Sequence, residues 1–350
     1  MDGIIFVAND SGGARLLAPL IREVTAAGHA VRVLASGPAE AMWSELEVSR
    51  DAAAHDRVEW LVDYLAAHRP DLMVTGTSHF SDLERNAWVA ARRLGIRSVA
   101  AIDAWVNFPE RFVRNDGEFV QPDHVCVIDD GSRERLQSDR RIEAQIHVCG
   151  QPHLESLVTS LVGARRARGP ADPARLVFFS NPVFVDLPPE ERPYDQFKAA
   201  SVLFAALRGT EGCELLIKPH PREAVDPWQK WVASVEGDVP AVTTTQAKAD
   251  DLLVSCDGAC GITSMSLVEA SLLGRPVLSL QPGRRRAHNP VIDELPGVNL
   301  AASEAEAPAA VKAWLGQIQR RQSAPPAVPA AIVGSRQHYM TLFNELLSGR

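Results

Sequence analysis

The sequence predicts an α/β protein built from two doubly wound domains that face each other across a cleft. Short apolar runs alternate with amphipathic stretches from end to end, the pattern of parallel strands joined by crossover helices. The 350 residues exceed one average domain and suit two of about 150 to 180 residues each. A polar break rich in Gly, Pro and Arg at 163–173 interrupts the alternation and reads as a linker. The expected domains are 1–163 and 174–335, with 336–350 a helix that crosses back to the first.

The elements follow in order. Residues 4–8 form a first strand, and 14–27 a helix with Leu16, Leu17, Leu20, Ile21 and Val24 on one face. Gly28 ends that helix, and 30–35 is the second strand. Helices are expected at 58–68, at 83–94 up to Gly95, from Ser132 onward, and at 154–161. Strands are expected at 71–75, 98–102, 124–128 and 145–148. The second half repeats the scheme with strands at 175–179, 214–217, 253–256 and 276–280 and helices at 196–207, 266–273 and 305–319. A Pro/Ala-rich connector at 322–329 leads to the last helix, 336–347. In such folds ligands bind beyond the carboxyl ends of the strands.

Composition narrows the function. Hydrophobic residues at 46% and charged residues at 23% describe a folded globular chain. A net charge of -8 argues against a nucleic-acid partner, which needs a basic face. The densest basic cluster, Arg284-Arg285-Arg286, reads either as a solvated turn or as an anion site. The 5 cysteines, Cys126, Cys149, Cys213, Cys256 and Cys260, have no framework or zinc spacing and read as buried thiols in a reducing compartment. No bound metal or cofactor is expected. The first residues read as a strand rather than a signal peptide, and no apolar run reaches the roughly 18 residues of a membrane span. A cytoplasmic location is therefore expected.

Four loops carry residues suited to chemistry. Asn9-Asp10-Ser11-Gly12-Gly13 runs from strand to helix, so Ser11, Gly12 and Gly13 lie where free N–H groups and a positive dipole end receive an anion or acceptor. Two glycines there let a ligand approach the backbone, and Asp10 is a candidate general base. The competing reading is a plain turn capped by Asp10 or Ser11. Lys218-Pro219-His220-Pro221 ends a later strand, with prolines stiffening the loop around an imidazole suited, protonated or as a donor, to phosphate. Thr263, Ser264 and Ser266 ahead of a helix form an anion cradle, and Glu269 suits ribose hydroxyls. A capping box of Ser266 and Glu269 explains those two without any ligand. Finally, Asp103 is followed by Trp105, Asn107 and Arg111, groups that suit a sugar-like acceptor. The competing reading is a core tryptophan with a surface arginine. Thr77-Ser78-His79 lines the same region more weakly.

The Lys-Pro-His-Pro run, then Gly261-Ile262-Thr263-Ser264 with Ser266, Glu269 and Ala270, then Leu273-Gly274-Arg275-Pro276-Val277, resembles the C-terminal half of GT-B glycosyltransferases. It is most similar to the His-Pro and Ser/Thr motifs of bacterial sialyl-, polysialyl- and glycerophosphate-transferases. A similar half occurs in the UDP-N-acetylglucosamine 2-epimerase family. The resemblance covers roughly a quarter of the chain. It implies two Rossmann-like domains, with His220 at the nucleotide, Ser264 and Ser266 at its phosphates, and Glu269 at the ribose; Lys218, Pro221 and Thr263 are donor-site candidates from the same loops. The reading that follows is an inverting transferase of polysaccharide biosynthesis that takes a nucleotide sugar and a small-molecule or glycan acceptor, and the lack of an Asp-x-Asp motif makes it metal-independent. In such an enzyme Asp10 serves as base, Asp103 as acceptor anchor or alternative base, and His220 assists the leaving phosphate. His79, His153 and Asp130 are next in line as bases. Asp129-Asp130-Gly131 matches the acidic base motif of sialyltransferases, yet it falls at an ordinary strand-to-helix turn. The glutamate and histidine set of the epimerases has no counterpart in the first half. A hydrolysing 2-epimerase or nucleotide-sugar hydrolase is the alternative, and a non-catalytic nucleotide-sugar binding protein the second.

Overall fold

The computed structural model describes residues 3–169, 171–183, 193–235, 240–284, 290–295, 297–320 and 328–349. The chain forms two compact units, Met1–Leu157 with Val328–Arg350, and Val158–Ala327. Each is a doubly wound α/β unit.

In the first unit the strands are β1 (Gly3–Ala8), β2 (Ala30–Ala35), β3 (Ser49–Ala52), β4 (Leu72–Thr75), β5 (Arg97–Ala101), β6 (His124–Val127) and β7 (Gln145–Val148). They form a parallel sheet of order β3-β2-β1-β4-β5-β6-β7. Strands β1 and β4 are apolar without alternation because both faces are covered; Phe6, Val7, Met73 and Val74 have no exposed surface. The helices are α1 (Ser11–Ala26), α2 (Pro38–Met42), α3 (Val58–His68), α4 (Leu83–Leu94), α5 (Asp130–Gln137) and α6 (Pro152–Leu161), the last running into the second unit. The final helix of the chain, Ser335–Ser348, belongs to this unit too. It packs Tyr339 and Phe343 into the same core cluster as Phe6 and Leu17. Glu155 ties its start by accepting from the main-chain N–H of Gly334 at 2.7 Å and of Arg336 at 2.9 Å.

The strands of the second unit are β8 (Ala174–Phe179), β9 (Cys213–Lys218), β10 (Ala241–Thr244), β11 (Gly258–Gly261), β12 (Val277–Leu280) and β13 (Asn299–Ala301). Their order is β10-β9-β8-β11-β12-β13, and all pairs are parallel. The helices are α7 (Gln196–Leu207), α8 (Val225–Ser234), α9 (Ala249–Ser255), α10 (Met265–Leu272), α11 (Pro290–Glu294) and α12 (Ala307–Gln319), with the closing Ser335–Ser348 helix numbered α13. Segment 163–173 is bound into this unit through Arg165, which donates to the Gly274 carbonyl at 2.9 Å, and through the Arg166 N–H, which donates to Val254 at 3.2 Å.

One expected strand is wrong. Residues 253–256 close helix α9, and the strand is the glycine-bearing segment Gly258–Gly261 that reads as a loop. Its small residues are a packing requirement. A side chain on Gly258 would press on Trp314 at 2.8 Å, and one on Gly261 would meet the Phe179 carbonyl at 2.5 Å. Three edge strands carry too little apolar pattern to read from sequence; β3, for instance, is Ser-Arg-Asp-Ala. Helix α8 is also outside the expected set, although Val225, Trp228, Trp231 and Val232 recur at helical spacing.

Both sheets reverse direction of winding at one place, between β1 and β4 and between β8 and β11. A doubly wound sheet opens a crevice at its carboxyl edge there. The loops at these two places are the Asp10 and Thr77 loops in the first unit and the Ser180 and Thr263 loops in the second.

Candidate functional site

In the first unit Asp10 caps α1, its Oδ1 accepting the Gly13 N–H at 2.8 Å. The capping and functional readings are compatible, because one carboxylate oxygen is enough for the cap. Besides the ligand approach expected of them, the two glycines meet a packing requirement. A side chain on Gly12 would collide with the Asp103 carboxylate, and one on Gly13 would press on Gly76 at 3.1 Å. Their absence lets the loops after β1, β4 and β5 close on one another, and so brings two carboxylates together.

A third carboxylate joins them. Glu84, in the first turn of α4, is buried and its Oε1 accepts from the Asn9 N–H at 2.8 Å and from the Ser78 hydroxyl at 2.7 Å. Burial raises its pKa above the usual range, against the pull of those two hydrogen bonds. Asp10 feels the whole cluster. Desolvation, then the charges of Asp103 and Glu84, push its carboxyl up to about 7, while the Gly13 N–H and Arg111 pull it down. Nothing in the sequence marks Glu84, because an acid in a first helical turn looks like an ordinary solvated residue.

Arg111 is the cation of this site. Its Nη1 donates to Asp103 Oδ1 at 2.7 Å, to the Thr77 carbonyl at 2.9 Å and to Thr77 Oγ1 at 2.5 Å. With side chains only 8% and 13% exposed, Arg111 and Asp103 form a buried pair. Arg111 thus holds Asp103 and the Thr77 loop in place rather than standing open to an acceptor. Trp105 is buried as well, with its Nε1–H donated to Asp129 at 2.6 Å. Asn107 is exposed and left-handed, with φ of 59°, a conformation asparagine tolerates. Asp129 caps α5 through the Ser132 N–H at 2.7 Å, and Asp130 pairs with Arg133 at 2.7 Å while 71% exposed. That acidic pair is a strand-to-helix turn. His153 begins α6, its N–H donated to the Gln151 side chain at 2.8 Å; His79 lies in the loop between β4 and α4.

In the second unit the candidate residues stand at the ends of three adjacent strands, β9, β8 and β11. Lys218 is the last residue of β9, with its pKa lowered by burial. His220 follows and is pushed down to about 4 by desolvation, then by the charges of Arg222 and Lys218. The imidazole is therefore neutral near pH 7, the donor form of the two that suit a phosphate. Its Nδ1 accepts the Arg222 N–H at 3.2 Å, so Nε2 carries the proton and is a donor. Pro221 is exposed beside it.

Two residues beyond the sequence-based set complete this edge. Ser180 follows β8 and donates its hydroxyl to Glu223 Oε1 at 3.0 Å, and Asn181 Oδ1 accepts the Thr263 N–H at 3.1 Å. The cap of α10 is Ser264, which accepts from the Ser266 N–H at 3.2 Å. The competing Ser266–Glu269 capping box does not form, because Ser266 already lies inside the first turn. Ser266 and Glu269 are both buried on that helix. Of the arginine cluster, Arg284 is paired with Asp293 at 2.8 Å, and Arg285 and Arg286 lie outside the described residues, as does most of the 322–329 connector. A cavity of about 620 Å³ lies elsewhere, at the amino-terminal edge of the first sheet beside Arg69, Pro70 and Arg97, and contains none of these groups.

No family model and no curated protein sequence matches the chain. Solved structures do. The UDP-GlcNAc 2-epimerase from Neisseria meningitidis bound to UDP-GlcNAc aligns over 98% of this chain and 100% of its own, with TM-score 0.73 at 12% identity. The S. aureus MnaA–UDP structure aligns over 99% and 97%, with TM-score 0.70 at 12% identity. The Acinetobacter baumannii MurG structure aligns over 99% and 100%, with TM-score 0.55 at 12% identity. The chain has the GT-B fold. At such identities the likeness is one of architecture, two Rossmann-like α/β units, and the chemistry must be argued from the residues themselves. No helix among the described residues is long and apolar enough to cross a membrane.

Proposed function

We propose that this GT-B chain is an enzyme that moves a sugar from a nucleotide-activated donor to an acceptor hydroxyl. The observation that carries the reading is the donor-rich edge of the second unit. Lys218, the Nε2–H of neutral His220 and the Thr263–Ser264 helix start stand at the ends of β9 and β11, the two strands that flank β8. Such a set recognises phosphate oxygens. Glu269 is the partner for ribose hydroxyls. In the first unit Asp10, with a carboxyl titrating at about 7, is matched to deprotonating a hydroxyl at neutral pH. Asp103, held by Arg111, raises that value and anchors the acceptor. Asn107 is the exposed acceptor contact. His220 then acts by hydrogen bonding to the departing phosphate and not by proton transfer.

A hydrolysing nucleotide-sugar 2-epimerase is the second reading, supported by the higher TM-scores to epimerases, 0.73 against 0.55 for MurG. One assay separates them. UDP-GlcNAc incubated alone releases UDP and a C2-epimerised sugar if the chain is an epimerase. Under transfer, rapid UDP release depends on an added glycan acceptor. Binding without turnover under every donor and acceptor tried would overturn both in favour of a binding protein.

A further inference from the structure

The His-Pro loop has an economy of donors that points to one more residue. Pro219 and Pro221 contribute no N–H. From Pro219 to Glu223 only His220, Arg222 and Glu223 retain one, and all three are used to fix His220. The His220 N–H is donated to Glu223 Oε2 at 2.7 Å. The Glu223 N–H is donated back to the His220 carbonyl at 2.8 Å. The Arg222 N–H is donated to His220 Nδ1 at 3.2 Å. The other carboxylate oxygen of Glu223 accepts the hydroxyl of Ser180, which is itself buried after β8 and donates its main-chain N–H to the Lys218 carbonyl at 3.0 Å. Glu223 thus ties the ends of β8 and β9 together through the residue between the two prolines.

We propose that Glu223 is the positioning residue of this loop, holding the turn in which the Arg222 N–H occupies Nδ1 and Nε2–H is left as the only ring donor of His220. The role rests on the reading of His220 as a phosphate donor, but the ring state it dictates exists without any ligand. A solvated acid that merely follows a turn has no reason to take a main-chain N–H and a buried hydroxyl on separate oxygens. The geometry also separates positioning from simple electrostatics. Loss of a nearby negative charge lowers the imidazole pKa and leaves its tautomer alone, whereas loss of the turn frees Nδ1 and redistributes the tautomers.

The test is ¹⁵N NMR of the imidazole in the whole protein, with His220 assigned by its disappearance in His220→Gln. Wild type is expected to show one neutral tautomer, protonated at Nε2, at pH 7. Glu223→Ala should give a mixture of tautomers, and its affinity for UDP should fall about 2- to 10-fold, less than for outright loss of the hydrogen bond, because the fraction still protonated at Nε2 continues to bind. Glu223→Gln keeps one acceptor for the His220 N–H and should retain most of the wild-type tautomer. Ser180→Ala, which removes only one anchor of the carboxylate, should shift the tautomers less and remains informative if Glu223→Ala does not fold. An unchanged tautomer in the folded Glu223→Ala protein, or in Ser180→Ala where that alone folds, overturns the proposal. If wild type shows the expected tautomer but no UDP binding, the nucleotide reading fails and the positioning role of Glu223 stands.

Discussion

The two units share a topology and differ in the charge they collect at its carboxyl edge. In the first, Asp10, Asp103 and Glu84 crowd around the start of α1, with Arg111 holding the loops together. In the second, a lysine, a neutral histidine with a free N–H, and a capped helix start stand at the strand ends. One edge concentrates carboxylates until a proton becomes easy to bind, and the other assembles donors for an anion. The same doubly wound frame thus supports opposite chemistry, because a parallel sheet fixes only where its loops emerge. The loop residues decide what emerges.

The sharpest way to break this contrast is at Asp10. Asp10→Asn removes the base while asparagine keeps the cap. Turnover should fall by at least about 100-fold with nucleotide affinity unchanged, as expected for a general base. In wild type the ionised carboxyl is the active form, so kcat/KM should rise with pH and level off above the Asp10 pKa of about 7. Asp103→Asn should chiefly raise the acceptor KM. Full turnover in both variants would move the base elsewhere, and swapped phenotypes would swap the two roles.

The sequence makes the frame of this contrast readable and hides part of its machinery. Strands β1 and β8 read clearly because both faces are buried and the apolar run is continuous. Asp10 stands out because it follows such a strand, and His220 because two prolines flank it just beyond the end of β9. Strand β11 does not read, since close packing against Trp314 and Phe179 demands the glycines that signal a loop. Glu84 and Glu223 are equally invisible. Their identity is that of thousands of solvated acids, and only the fold brings Ser78, Asn9, Ser180 and the His220 N–H to them. Arg111 and Trp105 mislead in the opposite way, looking like ligand contacts while their polar groups are used by Asp103, Thr77 and Asp129.

A smaller effect sharpens the second unit. His220→Ala should weaken binding of a nucleotide sugar by about 1 to 3 kcal/mol, the loss of a hydrogen bond to a charged group. With a diphosphodiester donor such as UDP-GlcNAc, whose phosphates do not titrate near neutrality, affinity should stay level between about pH 5.5 and 8, because an imidazole at about 4 remains neutral throughout. Calorimetry in the Asp10→Asn background avoids turnover. Affinity that climbs steadily as the pH falls to 5.5 would mean that a protonated His220 binds the phosphate, and the contrast between a proton-taking edge and a neutral donor edge would blur.

The last expected effect is on stability, and it has the sign opposite to that of a usual buried ion pair. The Asp10 carboxyl is raised from 3.8 to about 7 in the fold, so the native state binds its proton more tightly than the unfolded chain does. The stability linked to this group is complete below pH 3.8 and is lost as the pH rises toward about 7. Asp10→Asn cannot ionise, avoids that loss, and keeps the hydrogen bond to the Gly13 N–H. The variant should melt close to wild type near pH 4.5 and a few degrees above it at pH 8, with the gap opening between. Scanning calorimetry of both proteins across that range reads the difference directly; groups remote from Asp10 cancel, and the coupled Asp103 and Glu84 widen the same gap, because they too are relieved of the Asp10 charge. If Asp10→Asn melts below wild type at pH 8, the ionised carboxylate is stabilising α1 as a cap more than its neighbours repel it. The three-carboxylate edge would then be a structural feature, and the base would have to be sought at Asp103.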